Sequence, residues 1–473
     1  MLSLPGIVLS LLLLMYLAYR DVSVLVLAPL CALLAVLFDG DLPLLAVYTQ
    51  IFMTSVGQFV ASFFPLFLLG ALFGRLMEDS GAAARIADVV VRSVGPRQTM
   101  LSVVLSCAIL TYGGVSLFVV VFAVFPLSHS LFRTANIPRR LIPAAIALGS
   151  FTFTMTAMPG SVQIQNQIPM QYFGTTSFAA PGLGLLGSGL MLLTGMWWLN
   201  RQVRLAQKTG EGFEASTTAA ATAATSPPAS FVTAGLPRDL PPAWQCFAPI
   251  VCVLLLNFVC SQYLIPSWNT DYLQEERFGQ VKLARLLGTW STILAMLAAI
   301  GLTIVLHFRD LELRKRSLAS GARSSLLPVF NTACEYGYGN TIRALAGFAL
   351  MRDLVTRIAP GNPLISEAVS VNALAAVTGS ASGGLSIALE SLGATYLERG
   401  LAAGIDPQLL HRVASMSCGG LDSLPHNGAV ITLLLICGVT HREGYHHVAV
   451  VSVLCPLLAT AAILALGTIC GSF

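Results

Sequence analysis

Charge is what this chain has least of. Lysine, arginine, aspartate and glutamate together make up 10% of its 473 residues, against roughly 25% in soluble globular domains. Hydrophobic residues make up 55%, and the mean hydropathy is +0.77. So little polar side chain cannot cover so much apolar mass, which excludes a soluble fold and points to an all-α polytopic membrane protein. The formal net charge of +4 is spread over loops, so there is no basic footprint for nucleic acid. No Gly-x-x-x-x-Gly-Lys-Ser/Thr loop and no Gly-x-Ser-x-Gly elbow occurs, which leaves ATP-driven pumping and serine hydrolysis without their signatures. The ten cysteines are scattered, mostly within apolar segments, without metal-ligand spacing. They read as small packing residues, and neither a metal nor a cofactor is expected. The N-terminal MLSLPGIVLSLLLLMYLAYRD lacks a basic n-region and a small-residue cleavage site, so it reads as a retained helix.

What the chain does have is a succession of charge-free runs of about 20 residues, the length that crosses a bilayer. Apolar runs at about 2–19 and 22–39, the second ending on Asp39, are separated only by Arg20 and Asp21 and predict a tight helical hairpin, and a third span covers about 52–76 with Arg75 at its end. GRLMEDSGAAARIADVVVRSVGPRQ follows, with charges interrupting its apolar positions, and predicts an amphipathic surface helix closed by Gly95-Pro96. Residues 98–127 carry no charge but are cut by Thr-Tyr-Gly-Gly-Val-Ser at 111–116 into arms too short to span, which predicts a re-entrant hairpin. The run from 141 ends in SFTFTMTAMPGSVQIQNQIP (150–169), too polar to face lipid, and predicts a broken helix. A span at about 182–199 closes the first half, residues 1–200. Residues 201–243 open with Arg201, Arg204 and Lys208 and pass into an Ala/Thr/Ser/Pro tract with little to bury, a flexible cytoplasmic linker.

The same order recurs in residues 244–473. Spans are expected at about 245–265, 285–306 and 326–351, a hairpin at 368–396 around Thr-Gly-Ser-Ala-Ser-Gly-Gly (378–384), a broken helix at 415–432, and a last span at about 447–470. Glu335, in the third of these, reads either as an intramembrane acid or as an ion-pair partner of Arg343 near the helix end. The cluster HREGYHH at 441–447 offers only Glu443 beside its imidazoles and does not read as a metal site. Gly113 and Gly114 recur as Gly383 and Gly384 at an offset of 270, Ile137-Pro138 as Asp406-Pro407 at 269, and Pro159 as Pro425 at 266. Each half counts as about five transmembrane helices plus one hairpin. An odd number of crossings turns the second half upside down, the inverted repeat of secondary transporters, in which discontinuous helices mark the site. By loop position, eight of the 26 lysines and arginines fall on one face. The positive-inside rule makes the richer face cytoplasmic and puts both termini outside an inner (plasma) membrane.

In this topology the two hairpin tips and the two broken helices converge, and none of these four elements is expected to carry lysine or arginine. A carboxylate would then be held by free N–H groups of the half-helices that start after Pro159-Gly160-Ser161 and Pro425-His426-Asn427-Gly428. Gly113, Gly114, Gly383 and Gly384 open the tips. Hydroxyls and amides at Thr111, Ser116, Gln163, Asn166, Asn372, Thr378, Ser380, Ser382, Ser423 and Asn427 would bond the hydroxyls of a hydroxy acid, though each alone fits helix-packing glue equally well. Asp422 aligns with Thr156 and His426 with Gly160, so this titratable pair belongs to the second half alone. Asp422 and His426, with Glu335 as a further acid, are the candidates for carrying a driving proton. Sodium held by unwound carbonyls is the alternative. Two other classes are weaker. A passive channel would need charged rings or a carbonyl filter, and an intramembrane hydrolase using Ser417 or Ser423 with His426 and Asp422 leaves the repeat without a purpose.

The segments FPLFLLGALFGRLMEDSGAAARIAD (64–88), TYGGVSLFV (111–119) and GGLDSLPHNGAVITLL (419–434) resemble the gluconate permease family, within a superfamily of ion transporters. The resemblance covers nearly the whole chain apart from the linker. It implies a proton symporter for a small organic acid such as gluconate, 3-hydroxybutyrate or a related hydroxycarboxylate. It also implies a homodimeric scaffold, and a transport domain that carries the hairpins and breaks and moves as an elevator. The family's site elements fall on 111–116, 156–166, 378–386 and 422–428. The superfamily's carboxylate carriers have Ser-Asn-Thr type tips; Tyr-Gly-Gly-Val-Ser and Gly-Ser-Ala-Ser-Gly-Gly stand there in this chain and depart from their sodium-site pattern.

Overall fold

The computed structural model describes residues 3–18, 23–95, 98–115, 117–213, 240–308, 310–357, 359, 362–425 and 427–473, and all regular structure among them is helical. The first half begins with α1 (Ser3–Ala18) and α2 (Val24–Asp39), followed by the long α3 (Leu44–Asp79) and the amphipathic α4 (Ala82–Val94). Next come a hairpin of α5 (Thr99–Tyr112) and α6 (Leu117–Thr134), and a helix broken into α7 (Ile142–Ser150), α8 (Phe153–Thr156) and α9 (Ile164–Phe173). The long α10 (Pro181–Thr209) closes this half.

The second half repeats the order. It comprises α11 (Ala243–Ser267), α12 (Leu283–His307), α13 (Leu311–Ala344), α14 (Gly347–Thr356), a hairpin of α15 (Pro363–Thr378) and α16 (Ala381–Ala402), a helix broken into α17 (Pro407–Cys418) and α18 (Gly428–Cys437), and α19 (His441–Cys470). Five of these helices, α3, α10, α11, α12 and α19, are long and apolar enough to cross a bilayer by length and composition.

Local chemistry accounts for the punctuation. Helix α4 buries Ile86, Ala87 and Val90 on one face, while Asp88 is gripped by Arg85 and Arg92 at 2.8 and 2.9 Å. Gly81 and Gly95 end it on either side, with φ of +72° and +88° that a side chain would resist. Several boundaries differ from the sequence reading. The third span starts at Leu44 because a π-turn at Val47–Phe52 carries the helix through. The span expected at 326–351 is the end of α13, whose charged start is capped by the Asp310 carboxylate on Glu312 N at 2.9 Å; the helix ends where Leu345 turns extended. The linker expected from 201 begins inside α10, which runs to Thr209 and ends on Gly210 with φ +71°. Residues 214–239 of that linker lie outside the described residues, as do Arg20, Asp21, Pro96, Ser116 and His426.

Each half packs through the other. Helix α3 lies along α13, and α10 along α19. Helix α2 contacts α13 as α12 contacts α3; α1 contacts α14 as α11 contacts α4; and α9 packs on α16 and α17 as α18 packs on α6 and α7. The apolar interior follows the same exchange, with one core joining the start of α3 to α13, α15, α16 and α17 and the other joining α4 to α7 with α11, α12 and α18.

Within the second hairpin the arms meet almost backbone to backbone. A Cβ on Gly384 would lie 2.2 Å from Ala375 N and 2.3 Å from Ala375 Cα, and backbone cannot step aside. Gly384→Ala is therefore expected to splay α15 from α16 and to destabilise the protein by about 1–3 kcal/mol. Denaturation of the purified variant in detergent checks this; an unchanged midpoint would count against the close approach.

Candidate functional site

Helix α17 ends at Gly419, and residues 421–425 run without helical bonding until Asn427 restarts the helix by accepting from Val430 N at 2.9 Å. The Asn427 amide also ties the break to the second hairpin, donating to the carbonyls of Gly379 at 2.9 Å and of Asp422 at 3.0 Å. At the hairpin tip Gly379 turns with φ +61°, Thr378 Oγ donates to Ser380 O at 3.1 Å, and Ser380 Oγ caps α16 by accepting from Gly383 N at 3.0 Å. Break and tip thus form one hydrogen-bonded unit, assembled from segments some 45 residues apart in sequence.

This unit walls a cavity of ≈ 610 Å³, lined also by Asn331, Thr332 and Glu335 of α13, by Phe67 of α3, and by Leu117, Phe151, Met155 and Gln165 of the first half. Of the residues expected from sequence, Glu335, Thr378, Ser380, Ser382, Asp422, Asn427 and Gly428 line it. Among the described residues no lysine, arginine or histidine does. Asp422 is 5% exposed, and its Oδ1 accepts from Ser423 Oγ at 3.1 Å. Glu335 is 2% exposed, and its Oε2 finds no hydrogen-bond partner among the described residues; neither do Asn331 Oδ1 and Gln165 Oε1. Buried polar atoms are rarely left so, and here three acceptors lie in the wall of one cavity. Two helix N-termini also open onto it, through Ser380, Ala381 and Ser382 of α16 and Asn427, Gly428 and Ala429 of α18. The first N–H groups of a helix have no carbonyl partner within it, and with the dipole ends they favour a carboxylate.

The ion pair between Glu335 and Arg343 does not form, because Arg343 instead reaches Glu390 at 3.2 Å. The Glu335 carboxylate lies over Gly383, where a Cβ would come within 1.9 Å of Oε2. That glycine makes room for the acid rather than for a solute. Gly384 serves the hairpin arms, as described above.

The first break is a different environment. Gly114 and Gln163 line a second cavity of ≈ 360 Å³ with Arg75, Glu78, Thr292, Ser324 and others, and Phe67, Leu117, Ile164 and Pro328 line both cavities. Gln163 Nε2 donates to Thr111 O at 2.7 Å, and Gly113 packs under Ile250. Thr111, Gly113, Pro159, Gly160, Ser161, Asn166, Asn372, Gly383, Gly384, Ser423 and Pro425 line neither cavity, and Ser116 and His426 lie outside the described residues. Gly160, with φ +78°, donates to Ser177 O at 2.8 Å, and Pro159 O accepts from the Tyr112 hydroxyl at 2.7 Å. Ser161 Oγ donates to Thr154 O at 2.7 Å, and Asn166 Nδ2 donates to the carbonyls of Ser161 and Ser177, both at 2.9 Å. Asn372 donates to Ala368 O in its own helix, its amide oxygen beside Gly420.

One residue corrects the expectation that the broken helices carry no cation. Arg412 sits in α17, wholly buried, and spreads its guanidinium over the first break. It donates to the carbonyls of Ala179 at 2.6 and 3.1 Å, Ala157 at 3.0 Å and Thr156 at 3.4 Å, and to Asn166 Oδ1 at 3.1 Å. Ser415, one turn on, donates to Thr156 O at 2.7 Å, and His411 bonds Thr175 Oγ at 2.6 Å. The carbonyls freed by the first break are therefore satisfied by α17, while the second break opens onto the larger cavity. The sequence signal for Arg412 is that a turn containing His411 and Arg412 runs straight into the small residues that precede the second break. Among the described residues no cluster of histidine, cysteine, aspartate or glutamate could hold a metal ion.

A model for the family described as GntP family permease matches residues 2–233. The uncharacterized transporter YxjC of Bacillus subtilis (strain 168) is 42% identical over 466 residues, which covers 97% of each chain. Among solved structures, the YdaH transporter of Alcanivorax borkumensis superposes with a TM-score of 0.54 at 15% identity, over 89% of this chain and 88% of that one. At that identity the likeness speaks for the fold alone, an all-helical transporter fold. The apolar helices, the two broken ones among them, and the match along the whole chain place it in the GntP family of permeases, multi-pass membrane transporters rather than enzymes.

Proposed function

We propose that the protein is a proton-coupled symporter that takes up a small organic acid such as gluconate, 3-hydroxybutyrate or another hydroxycarboxylate. The observation that carries this reading is the ≈ 610 Å³ cavity, where two helix N-termini meet the buried acids Asp422 and Glu335 and the amide oxygens of Asn331 and Gln165, which, like Glu335 Oε2, find no partner among the described residues. A carboxylate suits the N-termini. Hydroxyls suit the acceptors, since each would supply a donor that a buried oxygen otherwise lacks. Asp422 and Glu335 are the groups that could take up and release a proton next to the solute. The reciprocal packing of the halves supports an inverted repeat, as does the odd number of crossings expected of each half from its apolar runs. With it go a plasma-membrane location, both termini outside, a homodimer, and elevator motion of the hairpins and breaks. The oxygen-rich lining also favours a second reading, sodium in place of the proton, because hard cations take oxygen ligands.

Uptake into proteoliposomes, with pH and sodium gradients imposed separately across a panel of hydroxy acids, tests both. An inwardly directed proton gradient is expected to drive accumulation of one of these acids above equilibrium. Accumulation under a sodium gradient alone would transfer the coupling to sodium, and accumulation with neither gradient would overturn symport.

A further inference from the structure

The cluster HREGYHH at 441–447 has no part in the reading above, yet it touches the second break. Helix α19 starts at His441 behind a capping box of Thr440 and Glu443. His441 Nε2 lies 3.1 Å from the carbonyl oxygen of Pro425, and the Tyr445 hydroxyl, one turn further on, donates to the carbonyl oxygen of Ser423 at 3.2 Å. The two rings stack with centroids 5.7 Å apart. Both acceptors are carbonyls of the unwound stretch, which has no helical partner to offer them. Ser423 also donates through its hydroxyl to Asp422, so Tyr445 holds the residue that holds the acid.

We infer that His441 and Tyr445 form a clamp that positions the second break and, through Ser423, sets the Asp422 carboxyl in the cavity wall. The break is then fixed from two sides. Asn427 ties it to the second hairpin, and the clamp ties it to the first turns of α19. That turn of α19 is itself anchored to the first half, since His447 contacts Arg140, which pairs with Glu211 at 2.7 Å. The pairing holds the Glu211 carboxyl below the usual carboxylate range. Neither clamp residue touches the solute in this account. They are positioning residues, and the inference rests on the reading that solute and proton use this cavity.

A loosened break populates the binding-competent geometry less, which raises the apparent KM in proportion. Tyr445→Phe and His441→Ala each remove one hydrogen bond, and each is expected to raise KM about 3- to 10-fold. His441→Gln, whose amide can donate to Pro425 O, is expected to stay close to the wild type. The unfolding midpoint should be common to all four proteins. Hydrogen exchange of the peptide spanning 419–427, measured on the purified protein without solute, should speed up by the same factor in Tyr445→Phe and His441→Ala. Unchanged exchange there, or an impairment in His441→Gln equal to that in His441→Ala, would overturn the clamp. A wild-type protein that accumulates none of the acids would instead overturn the symport reading, and the exchange measurement would still decide the clamp.

Discussion

Asp422→Asn should leave the protein able to exchange internal for external solute but unable to accumulate it against a gradient, so that a proton gradient brings the inside concentration only to equality. Asparagine matches the carboxyl in shape and can still accept from Ser423 Oγ, so the loop, its tie to Asn427 and the cavity wall are kept. What is lost is the only group at that position that can bind and release a proton. An acid 5% exposed in a cavity wall is costly to leave charged and unpaired. Its proton is therefore exchanged when the cavity opens to water, and moving the proton and moving the solute become one event. Counterflow and gradient-driven uptake, measured on the same vesicles, separate the two functions. Gradient-driven accumulation that survives the substitution would remove Asp422 from the coupling step. Glu335→Gln in the same assay would then decide whether the acid over Gly383 carries it.

Arg412→Met should be the most damaging single change to folding. The guanidinium answers the carbonyls of Thr156, Ala157 and Ala179 and the amide oxygen of Asn166, all within a wholly buried setting. Thr156 O keeps Ser415 and Asn166 Oδ1 keeps His411, so the carbonyls of Ala157 and Ala179 are the ones left unpaired; at about 1–3 kcal/mol each, the change is expected to cost about 2–6 kcal/mol. Methionine fills most of the volume, which isolates the polar loss from a cavity effect. Arg412→Lys should recover only part of the stability, because a point ammonium cannot reproduce a planar fork that spans two loops. Thermal denaturation of the purified variants checks the order wild type, Lys, Met. A Met variant as stable as the wild type would show that the first break closes without α17.

Much of the architecture was legible in the chain. The hairpins followed from short apolar arms cut by glycine, and the breaks from Pro159 and Pro425 set among small polar residues. The amphipathic α4 was legible from the spacing of its charges. The likeness of the two halves was legible as a near-constant offset. Less of the site could be read. Thr378, Ser380, Ser382, Asp422 and Asn427 do line one cavity, but Ser161 and Asn166 at the first break are spent on closing it. The sequence placed both breaks at one anion site and set them apart only by the titratable pair of the second; the fold fills the first and opens the second.

The reason lies in how far each interaction reaches. Whether a stretch crosses the membrane, turns back or unwinds depends on apolar length and on residues within a turn or two of the break, such as Gly419, Pro425 and Asn427, so the sequence alone determined it. Which buried polar group satisfies which freed carbonyl depends on what packing brings alongside. Arg412 meets Ala157 across 255 positions, Arg343 leaves Glu335 for Glu390 across 47, and His441 reaches back 16 to Pro425. Only the tertiary structure decided those pairings, because in a low-dielectric interior each donor takes the acceptor that helix packing presents, whatever its distance along the chain.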